Sequence, residues 1–303
     1  MSTRTLGIVL GSLVALLALY GIVLWAGSWE APASEGETAL AEVLARGGST
    51  SVESMEITGG EEPIVLQPTS TGWTVNGFPA DTLAVRRLLR AMTNVSLEGP
   101  VSSNPENHAR LGVAGTAALQ LRVSEEGGVP ATLTLGDRGP GGATTYVRLP
   151  TSDDVFLLQS DLRAVAEQRV GLWRYRTVAR VDTAQVSRFA VEREGRWTEV
   201  LRADTAWTVE GQPAEALTVR NVLGGLESLI AVDFAPDSVR LDTVTRRVVV
   251  LGAQGDTLAA IEMGEGLNTG LVPTRVPGVA GILQLTAYQA EQIAPRHVAL
   301  TGS

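Results

Sequence analysis

The sequence predicts an α+β protein in which one N-terminal transmembrane helix precedes two tandem, duplicated, strand-rich units with mainly antiparallel sheets. Three observations predict this fold class. Residues 6–25 are apolar and uncharged, a W-T-V-x-G-x-P-A motif occurs twice, and short alternating strands joined by glycine turns outnumber the helices. Strands that follow one another through tight turns pair antiparallel, and helices then gather on one side of the sheet.

The apolar run at residues 6–25 is long enough to cross a membrane. At about 1.5 Å per residue it spans about 30 Å, the thickness of a bilayer's hydrocarbon core. Arg4 precedes it, and the first charged residues after it are Glu30 and Glu35, so the positive-inside rule places the N-terminus in the cytoplasm. The anchor residues expected to contact lipid or a partner are Leu6, Leu10, Leu13, Leu17, Tyr20, Leu24, Trp25 and Trp29.

A cleaved signal peptide is the alternative, because small residues follow at Ala31–Ala33. The apolar run is, however, longer than the roughly 7–15 residues of a signal-peptide core. All 24 basic residues are arginine, which indicates a GC-rich bacterial coding bias. We therefore expect a protein of the bacterial inner (cytoplasmic) membrane with the bulk of the chain in the periplasm.

Composition limits the partners of this chain. It has 303 residues, 44% of them hydrophobic, which is enough for a substantial core, and no cysteine for disulfides or thiolate metal sites. The net charge of −9 argues against binding nucleic acid or anionic lipid headgroups through the soluble part.

A short helix is predicted within the tether that follows the anchor. Ser34 and Glu37 have capping-box spacing ahead of Thr38–Arg46, and Gly47-Gly48 ends the helix. Its apolar face consists of Leu40, Val43 and Leu44. This face must pack on the domain, the membrane surface or a partner, and we assign it to partner contact.

An internal repeat organises the remainder. Trp73–Leu89 and Trp207–Leu223 are identical at ten of seventeen positions, at an offset of 134. Val155–Gln168 matches Gly281–Ala294 at an offset of 126, and both are predicted as a strand, an N-cap (Ser160 or Thr286) and a helix. The resulting division is 1–29 cytoplasmic stub and anchor, 30–50 tether, 51–170 first unit, 171–185 connector and 186–303 second unit.

Each unit is predicted to contain the same elements. The main helices are Asp81–Thr93 and Glu215–Ile230, each with apolar residues at helical spacing. The strands are predicted at Val52–Thr58, Ile64–Gln67, Leu119–Ser124, Ala131–Leu135, Thr145–Leu149 and Val155–Gln159, and then at Ser187–Arg193, Glu199–Arg202, Arg247–Gly252, Thr257–Met263, Gly270–Thr274 and Gly281–Leu285.

Four repeated residues are predicted to form the core of the repeat: Trp73, Pro79, Trp207 and Pro213. The two tryptophans could alternatively be stacking platforms for a sugar or a base. Because they recur at equivalent positions of a duplicated fold, packing is the favoured interpretation. The connector contains Trp173 and Tyr175 and is too apolar for a free linker, so we expect the two halves to pack together.

No residue pattern identifies a reaction. His108 and His297 are far apart and without cysteine, which makes a poor zinc site, and no G-x-S-x-G motif is present. The loop Gly136–Gly142 lacks the Lys-Ser/Thr of a phosphate-binding loop and is predicted to be a hairpin turn. We therefore predict no catalytic, cofactor-binding or metal-binding residues and no enzymatic activity.

The first unit resembles a bacterial family called domain of unknown function 4340. The matching features are Trp73-Thr-Val75 with Pro79-Ala80-Asp81, Ala109-Arg-Leu-Gly-Val113, Leu135-Gly136, Tyr146-Val-Arg148 and Val155-Phe-Leu157. The resemblance covers Val52–Val170 well and the second copy more loosely. It implies a membrane-anchored extracytoplasmic protein, often an auxiliary component of gliding-type ABC transport systems, with no catalytic residues to transfer.

These expectations together predict a non-catalytic accessory or scaffold subunit of a larger inner-membrane complex. The complex could be of the ABC-transport type or a photosynthetic reaction-centre and antenna assembly. A periplasmic binding module for an envelope glycan or lipid, using the groove between the halves, is the main alternative. An envelope hydrolase is the remote one, since it requires His108 or His297 beside a nucleophile or carboxylate in a cleft.

Overall fold

The computed structural model describes residues 34–93, 95–204, 206–236 and 238–302. The predicted anchor, with Leu6, Leu10, Leu13, Leu17, Tyr20, Leu24, Trp25 and Trp29, lies outside the described residues. Within the described ranges, no helix is long and apolar enough to cross a membrane.

The first unit is built on a nine-stranded antiparallel sheet. Its strands run in the order β4-β3-β2-β1-β6-β7-β8-β9-β5. They are β1 Val52–Thr58, β2 Ile64–Thr69, β3 Gly72–Val75, β4 Phe78–Pro79, β5 Leu97–Ser102, β6 Leu119–Glu125, β7 Ala131–Arg138, β8 Thr145–Arg148 and β9 Val155–Leu158.

Four helices accompany this sheet. They are α1 Glu35–Ala45, α2 Thr82–Met92, α3 Leu162–Ala166 and α4 Val170–Trp173. The helix α2 contacts β3, α3 contacts β6 and β7, and α1 contacts β5 and β7. One face of the sheet is therefore buried under helices, as its alternating inward side chains require.

The second unit repeats this arrangement strand for strand. Its sheet has the order β14-β13-β12-β11-β17-β18-β19-β20-β16, the same order as in the first sheet. Its strands are β11 Val186–Arg193, β12 Arg196–Ala203, β13 Ala206–Val209, β14 Gln212–Pro213, β16 Asp233–Phe234, β17 Arg246–Gly252, β18 Thr257–Met263, β19 Leu271–Arg275 and β20 Leu283–Thr286. Its helices are α5 Ala216–Glu227, α6 Ala287–Ile293 and α7 His297–Thr301. The protein is α+β with mainly antiparallel sheets, as predicted.

Some predicted elements have different bounds or roles. Helix α5 ends at Glu227, and the residues after it form β15 (Leu229–Ile230), which pairs with β10 (Thr177–Ala179). Thr286 caps α6 in a capping box with Gln289, as its position predicted. Ser160 is not an N-cap: its hydroxyl donates to the Ala91 carbonyl oxygen at 2.7 Å, which ties the end of β9 to α2.

The apolar face of α1 is not a partner surface. The helix begins at Ser34, whose hydroxyl accepts from the Glu37 amide at 3.1 Å. Leu40, Val43 and Leu44 are all buried in the core of the first unit. Their assignment to partner contact is wrong, because α1 covers the sheet of its own unit.

Of the four residues predicted to form the repeat core, the two tryptophans pack against it and the two prolines are exposed. Trp73 and Trp207 are partly buried and pack against the first and second cores. Pro79 and Pro213 are exposed, since each lies in a two-residue strand at the end of its sheet. Proline is tolerated at such an edge because it has no amide hydrogen for a further strand.

The connector belongs to both cores. Trp173 is fully buried in the first core, whereas Val178, Ala179 and Val181 are buried in the second. Burying a large apolar side chain is worth about 1.5–3 kcal/mol. The chain between the units is therefore held at both ends by the hydrophobic effect.

Candidate functional site

The side chain of Arg174 lies between an aromatic ring of each unit. Its guanidinium carbon is 3.9 Å from the Phe78 ring centroid and 3.6 Å from the Phe234 ring centroid. Its Nη2 also donates to the Ala280 carbonyl oxygen at 2.9 Å. A planar guanidinium stacks well on aromatic faces, so Arg174 joins the first unit to the second.

Backbone hydrogen bonds hold the connector beside β4. The amide of Asp81 donates to the Trp173 carbonyl at 2.7 Å, and the amide of Tyr175 donates to the Pro79 carbonyl at 2.9 Å. Between these bonds, Ala80 and Arg174 form an antiparallel bridge. The connector therefore covers the outer edge of the first sheet.

Contacts on the other side of the connector reach the second unit. Arg176 Nη1 donates to the carbonyl oxygens of Ala231 at 2.9 Å and Val232 at 2.7 Å. Arg169 Nη2 lies 3.1 Å from Asp233 Oδ2. These polar contacts join residues before and after Arg174 to the second unit.

Neither phenylalanine of this stack has an aromatic counterpart at the equivalent position of the other unit. In the aligned motifs, Phe78 of the first unit corresponds to Gln212 of the second. Phe234 pairs with Leu283 in the second sheet, and the residue at the same place in the first sheet, opposite Leu157, is Glu98. Each side of the contact between the copies therefore carries an aromatic side chain whose counterpart in the other copy is polar.

A cleft of about 550 Å³ opens beside this stack. Its aromatic and cationic lining consists of Trp73, Phe78, Tyr175, Phe234 and Arg174. Four threonines contribute hydroxyl groups: Thr69, Thr71, Thr74 and Thr82. None of the described residues that line it is acidic, although the chain contains 33 carboxylates.

The two repeated tryptophans have different surroundings. Trp73 lines the cleft between the units. Trp207 packs within the second unit, with its ring 5.8 Å from that of Phe189 and 5.7 Å from the Arg202 guanidinium carbon. One copy of the repeated tryptophan therefore lines a cleft, and the other contacts Phe189 and Arg202 within its own unit.

Both histidine rings form hydrogen bonds within their own unit. His108 is buried, and its Nε2 lies 2.9 Å from the Asp153 carbonyl oxygen. His297 Nδ1 lies 3.0 Å from the hydroxyl oxygen of Thr198, which is itself buried. Across the described part of the chain, no group of three or more histidines and carboxylates is placed to hold a metal ion. The predicted hairpin turn at Gly136–Gly142 begins later in the structure: Gly136–Arg138 belong to β7, and residues 139–144 connect β7 to β8.

A charged cluster lies at the far end of the second unit. Arg193 Nη1 donates to Glu291 Oε1 at 2.7 Å and to the Ala294 carbonyl at 2.9 Å. The Arg193 hydrogen bond lowers the pKa of Glu291, and burial together with the charge of Arg193 lowers the pKa of Arg246. The cluster joins α6 to the sheet, so its role is structural.

The family model described as domain of unknown function (DUF4340) matches residues 73–244. This range is more than half of the 303 residues. The chain belongs to the DUF4340 family. No curated protein and no solved structure matches it significantly.

The DUF4340 match begins later than the resemblance in the sequence suggested and ends inside the second copy. It starts at Trp73 in β3, runs through the connector and ends before β17. It thus includes Phe78, Arg174 and Phe234. In this DUF4340 chain, the stack between the units lies inside the part of the chain that the family shares.

Phe78, Arg174 and Phe234 were not predicted from the sequence as site residues. One signal was present: the aligned motifs differ at Phe78 and Gln212, where an aromatic residue on one copy has a polar counterpart. Phe234 had no comparable signal, because its two-residue strand is too short to show a period.

Proposed function

We propose that this protein is a non-catalytic accessory or scaffold subunit of a larger inner-membrane complex, of the ABC-transport or the reaction-centre and antenna type. Residues 6–25 are its single span, with the N-terminus in the cytoplasm and the two units in the periplasm. The proposal is supported by the uncharged apolar run and by membership of the DUF4340 family.

The observation that carries the proposal is the joining of the two units through Arg174. Its guanidinium is stacked on both sides, and the connector is buried in both cores. Two units joined in this way present a surface of fixed shape to a partner. An enzyme or transport receptor that closes around its substrate needs instead a hinge that can move.

The outward face of the second sheet is the partner surface we assign. On β12, Trp197 is 50% exposed and Leu201 is 43% exposed, and both point away from the helices. On neighbouring strands Ala190 pairs with Val249, and Arg188 pairs with both Leu201 and Leu251. This face replaces the buried face of α1 as the expected contact.

The first sheet has a different surface at the same place. Its Glu56 and Arg122 pair where the second sheet has Ala190 and Val249. The copies thus share an inward core and differ in their outward face. On this face the exposed apolar side chains alternate with charged ones such as the ion pair Arg188–Glu199. Since exposed apolar residues rimmed by polar ones mark interaction sites, the second unit is the better candidate for docking.

The experiment is extraction of native membranes in mild detergent, followed by size separation and identification of co-migrating proteins. We expect this protein to migrate with a large assembly. The double variant Trp197→Glu, Leu201→Glu should migrate alone, while Val129→Glu, at an exposed site of the first unit, should behave as wild type.

Migration of the wild-type protein alone, at several detergent strengths, would overturn the accessory-subunit proposal. Normal co-migration of the double variant would leave the accessory role in place and exclude the second sheet as the docking face. Thermal unfolding of each variant checks that the fold is intact, and surface substitutions of this kind shift stability by only about 0.5 kcal/mol.

A further inference from the structure

We infer that the cleft beside Arg174 is a binding site for an oligosaccharide with flat, gluco-configured rings. This inference goes beyond the accessory role and does not depend on it. It rests on the side chains that line the cleft and on the hydrogen bonds that already occupy its edges.

The cleft has the size and the lining of a ligand site. Ligand pockets enclose about 300–1,000 Å³ and combine aromatic walls with a few polar groups, and this cleft has a volume of about 550 Å³. Tyr175 lines the cleft and is 44% exposed as a residue, so part of its surface is open to solvent. Trp73 and Phe78 provide further aromatic surface beside it.

The polar groups are those that a sugar uses. Gluco-configured rings carry their hydroxyls equatorially, which leaves axial C–H faces that stack on aromatic rings. Their hydroxyls exchange hydrogen bonds with protein hydroxyls, and Thr69, Thr71 and Thr82 line the cleft. A hydroxyl both donates and accepts, so threonine suits a neutral sugar.

Peptides and acyl chains fit this cleft less well. A peptide that adds a strand needs a free sheet edge, but Tyr175 already donates to Pro79 at the outer edge of β4. An acyl chain would bury threonine hydroxyls without partners, which costs free energy. Because none of the described lining residues is acidic, a sugar that carries a carboxylate would meet no like charge in the cleft.

A second cleft between the units has a different character. Its volume is about 650 Å³, and Glu61, Glu62, Arg163, Glu167, Arg169 and Asp233 are among its lining residues. Its lining contains no aromatic side chain from the described residues. Of these two clefts, the one at Tyr175 is therefore the one that can stack a sugar ring, and Arg174 fixes the positions of Phe78 and Phe234 there.

The experiment titrates the detergent-solubilised full chain with two β-1,4-linked trisaccharides, triacetylchitotriose and cellotriose, by calorimetry. We expect saturable binding of at least one, with Kd of about 1 mM or tighter. Tyr175→Ala should weaken binding by about tenfold or more. Tyr288→Ala, which removes a ring that is 76% exposed and outside the cleft, should bind as wild type.

A second pair of variants compares the two copies of the repeat. Trp73→Ala should lose binding, whereas Trp207→Ala, which removes the equivalent ring within the second unit, should retain it if folded. The inference is overturned if neither trisaccharide binds, if Tyr175→Ala binds normally, or if only phosphatidylglycerol vesicles bind. Since Tyr175 does not lie on the outward face of the second sheet, failure here would leave the result of the membrane-extraction experiment unaffected.

Discussion

Gly171 of α4 lies directly against the carboxylate of Asp233 in the second unit. A Cβ atom at residue 171 would overlap Asp233 Oδ1, and the other carboxylate oxygen is 3.1 Å from Arg169 Nη2. Asp233 Oδ1 also accepts from the amide of Phe234 at 2.9 Å. A single glycine therefore lets the connector approach the strand that carries one ring of the Arg174 stack.

Gly171→Ala should destabilise the protein because the added methyl group displaces Asp233. Overpacking of this kind costs about 1–3 kcal/mol. Urea unfolding followed by circular dichroism measures the change. Gly224→Ala is the matched control: it lies inside α5 with no atom near its added Cβ, so it should stabilise by up to about 1 kcal/mol. Equal changes in the free energy of unfolding for the two substitutions would contradict the close approach of Gly171 to Asp233.

Arg174→Ala should loosen the junction of the two units. Each cation–π contact is worth about 0.5–2 kcal/mol, and this substitution removes two of them. We expect faster chymotryptic cleavage at Tyr175 in the native protein. Arg202→Ala removes a cation–π contact within the second unit and should leave that cleavage rate unchanged. Equal cleavage of both variants would show that the stack does not hold the units.

Leu40→Ala tests whether α1 belongs to the first core. A buried leucine truncated to alanine costs about 2–5 kcal/mol, and Leu40 is fully buried. Leu83→Ala, at an exposed position of α2, should change the free energy of unfolding by only about 0.5 kcal/mol. Urea unfolding compares them, and a Leu40→Ala variant as stable as wild type would restore the partner-contact interpretation.

Glu291→Gln should destabilise the protein in a pH-dependent manner. Arg193 lowers the pKa of Glu291 below its ordinary value near 4.5 in the folded state. The carboxylate therefore stabilises the fold above pH 4.5, and this contribution is lost as pH falls through the folded pKa. Because the side chain is 54% exposed, the effect at pH 7 should be about 1 kcal/mol or less.

The measurement for Glu291→Gln is the midpoint of thermal unfolding between pH 3 and pH 7. The difference from wild type should be largest at pH 7 and should shrink toward pH 3. Glu210→Gln is the control, since Glu210 and its partner Arg196 are both exposed. A constant difference for Glu291→Gln across this range would exclude the carboxylate's charge as the cause.

Predictions from the sequence succeeded where a periodic pattern and a local signal agreed. Strand β1 has the predicted bounds, Val52–Thr58, because its inward and outward residues largely alternate. Thr286 and Gln289 form the expected cap because that interaction needs only neighbouring residues. Strand β5, with the sequence LEGPVS, was missed because it has no alternation and is held by pairing with β9.

The α+β class, the duplication and the family could be predicted from the sequence, since these depend on local periodicity and on repeated motifs. Which surfaces are free depended instead on tertiary packing. It buried Leu40 in the first core and exposed Pro79 at a sheet edge. It also brought Phe78 and Phe234 onto Arg174. Residues 156 positions apart meet only through long-range packing, which no local pattern encodes.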